Sequence, residues 1–93
     1  MVHRLMSDYY TLTPTQIVMY TSEYCSDCMR VKRFFEAHDI QHLRVGLEGD
    51  DGATEFVIHL NNGYQSVPTI IFPDGSVLVE PSWVELKAKF VHL

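Results

Sequence analysis

With 93 residues, 46% of them apolar and 20% charged, the chain has material for one hydrophobic core and not for two, and its balance is that of an ordinary globular domain. Twelve acidic residues against seven basic ones leave a formal charge of -5, which argues against a nucleic-acid partner because phosphate binding needs a surplus of Lys and Arg. The two cysteines, Cys25 and Cys28, are too few for the bridged frameworks that replace a core in small secreted domains, and their close spacing points instead to chemistry.

The first stretch, Met1-Val2-His3-Arg4-Leu5-Met6-Ser7-Asp8, carries one Arg but no continuous apolar run of signal-peptide length, so export by that route is not expected. Apolar runs such as Thr69-Ile70-Ile71-Phe72 fall far short of the roughly 18 residues of a membrane helix. A cytoplasmic location without a membrane partner is the expectation. Residues 1–14 show no sustained period and read as an N-terminal extension in which Tyr9, Tyr10 and Leu12 are placed to cap one edge of the core. The domain proper is expected over 15–93.

Gln16-Ile17-Val18-Met19-Tyr20 is a short run of strand formers between Pro14 and Thr21-Ser22 and predicts a buried first strand. After the cysteines, Cys28, Val31 and Phe35 recur at helical spacing with Phe34 beside them, while Arg30, Lys32, Arg33 and Glu36 take the other side; this predicts a helix to about His38. Ile40, Leu43, Val45 and Leu47 mark a second strand that ends near Gly46 to Gly49. Asp50 and Asp51 cap a helix carrying Ala53, Phe56, Val57 and Leu60, and Asn62-Gly63 stops it. Val67 to Phe72 and Val77 to Val79 flank Pro73-Asp74-Gly75-Ser76, whose residues suit a tight turn between antiparallel strands. Ser82 followed by Glu85 forms a capping box for a last helix with the apolar stripe Trp83, Leu86 and Phe90. The predicted order is β-α-β-α-β-β-α, an α/β class in which the first strand-helix-strand unit is a parallel crossover and the hairpin adds an antiparallel pair.

Cys25-Ser26-Asp27-Cys28 sits at the first strand-to-helix junction. That places the first sulfur at the helix N-terminus, where unpaired N-H groups and the positive end of the helix dipole stabilise the thiolate that attacks disulfides. Cys25 is the expected nucleophile. Cys28, more buried, is expected to stay protonated until it resolves a mixed disulfide on Cys25. A zinc half-site and a pair of inert buried thiols are the competing readings, although none of the five histidines lies within six residues of the pair. Pro68 itself has two readings. A cis bond would leave the Val67 backbone free to pair with an extended thiol substrate, and a plain Pro would simply open the strand.

Strand, Cys-Ser-Asp-Cys, helix, Val-Pro, hairpin and capped last helix together resemble the thioredoxin fold in its short glutaredoxin form, over about residues 16 to 93. Cys28-Met29-Arg30-Val31-Lys32 is similar to the basic helix start of glutaredoxins. Ala53-Thr54-Glu55-Phe56-Val57, Asn62-Gly63, Ser66-Val67-Pro68-Thr69, Asp74-Gly75-Ser76 and Glu80-Pro81-Ser82 resemble the actinobacterial subgroup called mycoredoxins. The resemblance implies a four-stranded mixed sheet flanked by three helices. It also implies a thiol-disulfide oxidoreductase that removes small-thiol caps, such as mycothiol, from protein cysteines by attack of the first cysteine. Three departures stand out. Ser22 occupies the position where glutathione-using glutaredoxins usually carry Lys, Ser26-Asp27 replaces Gly-Tyr or Pro-Tyr, and Leu78-Val79-Glu80-Pro81 stands in place of the Trp-Ser-Gly-Phe of ribonucleotide-reductase redoxins.

Around the pair, Tyr24 and Tyr64 are expected to flank a groove. Val67 and Thr69 are expected to supply backbone contacts, with Pro68 shaping the site, and Ser82 at the start of the last helix to receive a substrate carboxylate. Asp27 competes with the Cys25 thiolate for the helix dipole, while Arg30 and Lys32 add positive potential. Trp83 is expected to pack against the core, and the histidines to play no catalytic part. No bound cofactor or metal is expected. The co-substrate is a low-molecular-weight thiol, mycothiol or bacillithiol in preference to glutathione, and the partners are proteins carrying small-thiol mixed disulfides or disulfides. Two rival classes remain: a general dithiol redoxin that uses both cysteines and is fed by a thioredoxin-type reductase, and a metal or iron-sulfur binder. Against the latter, iron-sulfur glutaredoxins usually carry Cys-Gly-Phe-Ser, with a single cysteine.

Overall fold

The apolar run after Pro14 becomes the centre of the molecule. In the computed structural model, which describes residues 8–91, strand β1 (Val18–Thr21) lies between β2 (Leu43–Gly46) and β3 (Thr69–Ile71), and β4 (Val77–Val79) closes the far edge, giving the order β2-β1-β3-β4. The expectation about an export signal in residues 1–7 lies outside the described residues. Strand β1 pairs in parallel with β2, with Val18 opposite Leu43 and Thr21 opposite Gly46, and antiparallel with β3, with Val18 opposite Ile71. The hairpin pairs β3 with β4 antiparallel. Its turn closes through Gly75 N-H to Phe72 O and Ser76 N-H to Asp74 Oδ1, with Gly75 at φ +87°, a conformation that glycine adopts without steric cost. The predicted order and the mixed sheet are both present, with strand ends shorter than the apolar runs suggest.

Three helices cover the sheet: α1 (Ser26–Ala37), α2 (Asp51–Leu60) and α3 (Trp83–Lys89). Each starts on a side chain that satisfies an otherwise unpaired amide. Cys25 Sγ accepts from Cys28 N-H, Asp50 Oδ1 from Ala53 N-H, and Ser82 Oγ from Glu85 N-H. Asn62 and Gly63 at positive φ end α2, where Gly63 N-H reaches back to Ile58 O at 2.8 Å.

Alternation along β1 divides the core into two layers. Val18 and Tyr20 join Val45, Leu47, Ala53, Val57 and Ile71 beneath α2; Met19 joins Val31, Phe34, Phe35, Ile70, Phe72 and Leu86 beneath α1 and α3. Trp83 is 41% exposed, but the edge of its ring packs on Phe34 with centroids 5.0 Å apart. It is therefore a lid on the second layer rather than part of its interior.

Residues 8–14 are tied to the α2 side. Tyr10 N-H donates to the Tyr20 hydroxyl, the Tyr10 hydroxyl donates to Asp50 Oδ1 at 2.7 Å, and the Tyr10 ring lies 6.4 Å from that of Phe56. A Cβ on Gly52 would come within 3.1 Å of the Tyr10 ring, so the glycine makes room for it. Asp8 is 1% exposed and accepts from the Thr15 amide, the Thr15 hydroxyl and the Gln16 side chain. Burial alone would push its carboxyl up, but the three donors outweigh it and hold the group below its ordinary value.

Candidate active site

Cys25 is the last extended residue before α1, with φ -123° and ψ 106°, and Cys28 stands in the first helical turn. The two are joined as a disulfide, with Cα atoms 5.2 Å apart. Cys28 is 4% exposed, packed against the sheet, whereas Cys25 is half-buried at the rim. Cys25 Sγ accepts the Cys28 amide at 3.1 Å and lies 3.7 Å from the Val67 carbonyl oxygen. Chain reversal after α2 puts Val67 there, and the Val67-Pro68 peptide is cis. A thiolate on Cys25 would occupy the acceptor position at the positive end of a helix of 12 residues, an arrangement that favours the anion.

The remaining predicted residues fall into different situations. Tyr24, immediately before Cys25, is 99% exposed, and Tyr64 is also exposed. Thr69 is buried and its groups are already used by the fold: its hydroxyl donates to Ser66 O and accepts from Asn61 Nδ2, and its backbone lies within β3 between β1 and β4. The backbone contact expected of it therefore passes to Val67. Ser82 is engaged in a closed capping box, its hydroxyl accepting from Glu85 N-H and its amide donating to Glu85 Oε1, so the substrate carboxylate expected there would have to displace the cap.

Arg30 is not a solvated charge. One arm of its guanidinium pairs with Asp27 Oδ1 at 2.9 Å, and the other donates to the Pro81 carbonyl oxygen at 3.2 Å, tying the first turn of α1 to the segment before α3. Asp27 and Cys25 therefore do not face each other without a counter-charge. Lys32, one turn beyond Cys28, lines a cavity of about 200 Å³ that opens between α1 and the β2 edge and reaches both cysteines.

Three further residues of that cavity, Arg44, Gly46 and Glu48, were not expected from the sequence. Arg44 lies opposite Met19 in the β1–β2 register; its alternation against Leu43 and Val45 on an edge strand was the only available signal. Glu48 accepts from the Ser22 hydroxyl at 2.6 Å and from the Glu23 amide at 3.1 Å, and these two donors, the hydroxyl first, hold its carboxyl below the ordinary value. Ser22 thus anchors a carboxylate at the third position before Cys25. Among the described residues no group of three or more His, Cys, Asp or Glu side chains is gathered for a metal ion, and no helix is long and apolar enough to cross a membrane.

Comparison with known proteins places this geometry among characterised folds. The glutaredoxin family model matches residues 17–78. A protein of Mycobacterium tuberculosis that carries a provisional glutaredoxin name is 40% identical over 77 residues, covering 83% of this chain and 92% of its own length. The crystal structure of a thioredoxin-like protein aligns with a TM-score of 0.68 at 25% identity, covering 78% of this chain and 97% of that one. A buckwheat glutaredoxin in complex with glutathione aligns with a TM-score of 0.67 at 19% identity over 97% of this chain and 83% of its own, a likeness of fold.

Proposed function

The chain belongs to the glutaredoxin family and is a thiol-disulfide oxidoreductase, and from that premise we propose that it reduces mixed disulfides joining protein cysteines to a low-molecular-weight thiol. The observation that carries this reading is the placement of Cys25 Sγ at the rim, held by the Cys28 amide and beside the Val67 carbonyl, with Cys28 buried behind it.

The Cys25 thiolate attacks the small-thiol sulfur of the client's mixed disulfide. A Cys25-to-small-thiol bond forms, and the client cysteine leaves as a thiolate and takes up a proton. A second small thiol, as its thiolate, then attacks the sulfur carried on Cys25, releasing the oxidised small-thiol pair and restoring the Cys25 thiolate. In the competing second step Cys28 attacks Cys25, expels the small thiol and closes the internal disulfide. Val67 offers its backbone to the extended substrate on one side of the sulfur, and exposed Tyr24 and Tyr64 border the approach.

The choice of thiol follows from Ser22 and Glu48. With no lysine three positions before Cys25 and a carboxylate hydrogen-bonded there instead, the site lacks the cation that glutathione-using glutaredoxins usually present. The resemblance to mycoredoxins and the similarity to the Mycobacterium protein make mycothiol the first thiol to test. A cytoplasmic location and clients with small-thiol caps go with this reading. Turnover of one capped client protein with mycothiol, bacillithiol and glutathione, measured side by side, checks it. Mycothiol or bacillithiol should be the faster co-substrate; fastest turnover with glutathione would reject the assignment. The closeness of Cys25 and Cys28, with Cα atoms 5.2 Å apart, permits one alternative, a dithiol redoxin recharged by a thioredoxin-type reductase. Rapid NADPH-coupled insulin reduction with that reductase would favour it.

A further inference from the structure

The contacts of Cys25 run in a closed circuit through separate parts of the chain. Cys25 Sγ lies 3.7 Å from the Val67 carbonyl oxygen. The next carbonyl, that of Pro68, accepts the Glu80 amide at 2.8 Å. The carbonyl after Glu80, that of Pro81, accepts one arm of the Arg30 guanidinium at 3.2 Å, and the other arm donates at 2.9 Å to Asp27, between the two cysteines. Arg30 therefore joins the start of α1 to the backbone that faces Cys25, by way of Pro81 and Glu80. Its Nε is buried without an acceptor among the described residues, so the two outer arms carry the polar contacts it makes with the protein.

The bridge does not hold itself. Glu80 has φ +47°, in the left-handed region that a residue with a Cβ enters at a cost and keeps only where surrounding contacts fix it. The Pro68 carbonyl holds Glu80 by its amide, and Arg30 holds the following residue by its carbonyl. On the far side of Val67, the Ser66 carbonyl accepts the Thr69 hydroxyl at 2.8 Å. Both neighbours of Val67 are thus fixed by their carbonyls, and the Val67 carbonyl is left facing the sulfur.

Resting on the reading above of Cys25 as nucleophile and Val67 as backbone partner, we propose that Arg30 is a positioning residue. Through Pro81, Glu80 and Pro68 it fixes the Val67 backbone at the spacing from Cys25 that an extended cysteinyl substrate requires. The substrate class is a disulfide whose sulfur sits on a cysteinyl residue with an amide group on each side, since hydrogen bonds to those amides weaken steeply with small displacements. A disulfide without such amides has nothing to set against Val67 and gains nothing from Arg30 beyond its charge.

The test follows capping of Cys25 in the reduced full chain carrying Cys28→Ser. The Cys25 thiolate attacks a small disulfide, one disulfide forms as one breaks, and the expelled thiolate takes up a proton, so no further oxidant or reductant is required. The disulfides of N-acetylcysteinamide and of 2-mercaptoethanol are compared, and the two rate constants are read by intact-mass spectrometry, with Trp83 fluorescence checking that each variant is folded. A change in the thiolate content of Cys25 acts on both reactions alike and cancels in their ratio. The ratio of amide to hydroxyl substrate should fall about threefold to tenfold in Arg30→Gln, the worth of one backbone hydrogen bond to the substrate. It should fall in Arg30→Lys too, which keeps the positive charge but lacks the planar fork that reaches acceptors on two elements. A ratio that Arg30→Gln does not move overturns the role. So does a ratio that falls in Arg30→Gln and stays at the parent value in Arg30→Lys, because charge alone would then account for it. Failure of Cys25 to take a cap from either disulfide would overturn instead the redox reading on which the role rests.

Discussion

The carboxylate of Asp27, between the two cysteines, is held by Arg30 at 2.9 Å with both side chains more than a third exposed. A pair so open to water stabilises the fold by no more than about 1 kcal/mol, and its consequence lies in the potential at Cys25. Removing the negative member with Asp27→Asn should lower the Cys25 thiol pKa in pH-dependent alkylation of the reduced protein. Arg30→Gln, which leaves Asp27 uncompensated, should raise it; shifts of the opposite sign would refute this electrostatic account. Both residues were legible as members of a helix start, and their three-residue spacing permits the pair. That Arg30 also grips the Pro81 carbonyl was not, because the contact depends on how α3 docks. Arg44 was hidden for a related reason: only the parallel register places it opposite Met19.

At the scale of elements, hydrophobic period and capping side chains made the helices and the hairpin readable, since Ala53 and Val57 on α2 and Leu86 on α3 are buried as their spacing requires. Phe34 ties α1 to α3: it is 1% exposed and its ring meets those of Phe35, Trp83 and Phe90. Phe34→Ala should cost roughly 3–5 kcal/mol, a large part of the 5–15 kcal/mol typical of a small domain, and urea unfolding would show it as an early midpoint. The segment before β1 was less readable, because its order comes from polar contacts without a period. Tyr10 donates its hydroxyl proton to Asp50, and that hydrogen bond, with lesser help from burial and nearby charge, pushes its pKa up to about 12. A proton held more tightly in the folded state stabilises it fully below the ordinary value near 10, and the contribution fades as pH rises through about 12. Tyr10→Phe should therefore lose roughly 0.5–1.5 kcal/mol near neutrality and show a flatter decline of stability between pH 10 and 12 than the parent protein. An unchanged alkaline limb would mean that the segment does not hold α2.

Over the whole molecule, the parallel crossover and the antiparallel hairpin bring residues from three stretches of chain to one sulfur: Cys28 from α1, Val67 from the segment before β3, and the Arg44 wall from β2. The C-x-x-C pair and the Val-Pro were visible as separate signals, and that they meet was implied by the resemblance to the glutaredoxin form of the thioredoxin fold rather than by the order of elements. The cavity was not visible, because it exists only where α1 leaves the β2 edge uncovered. Its central consequence is an unequal pair of thiols, Cys25 at the rim and Cys28 buried beneath it. The most direct measurement is turnover of a protein–mycothiol mixed disulfide by the Cys25→Ser and Cys28→Ser proteins. Cys25→Ser should abolish turnover and Cys28→Ser should keep most of it; loss of activity in both would contradict the one-cysteine route on which this account of the enzyme stands.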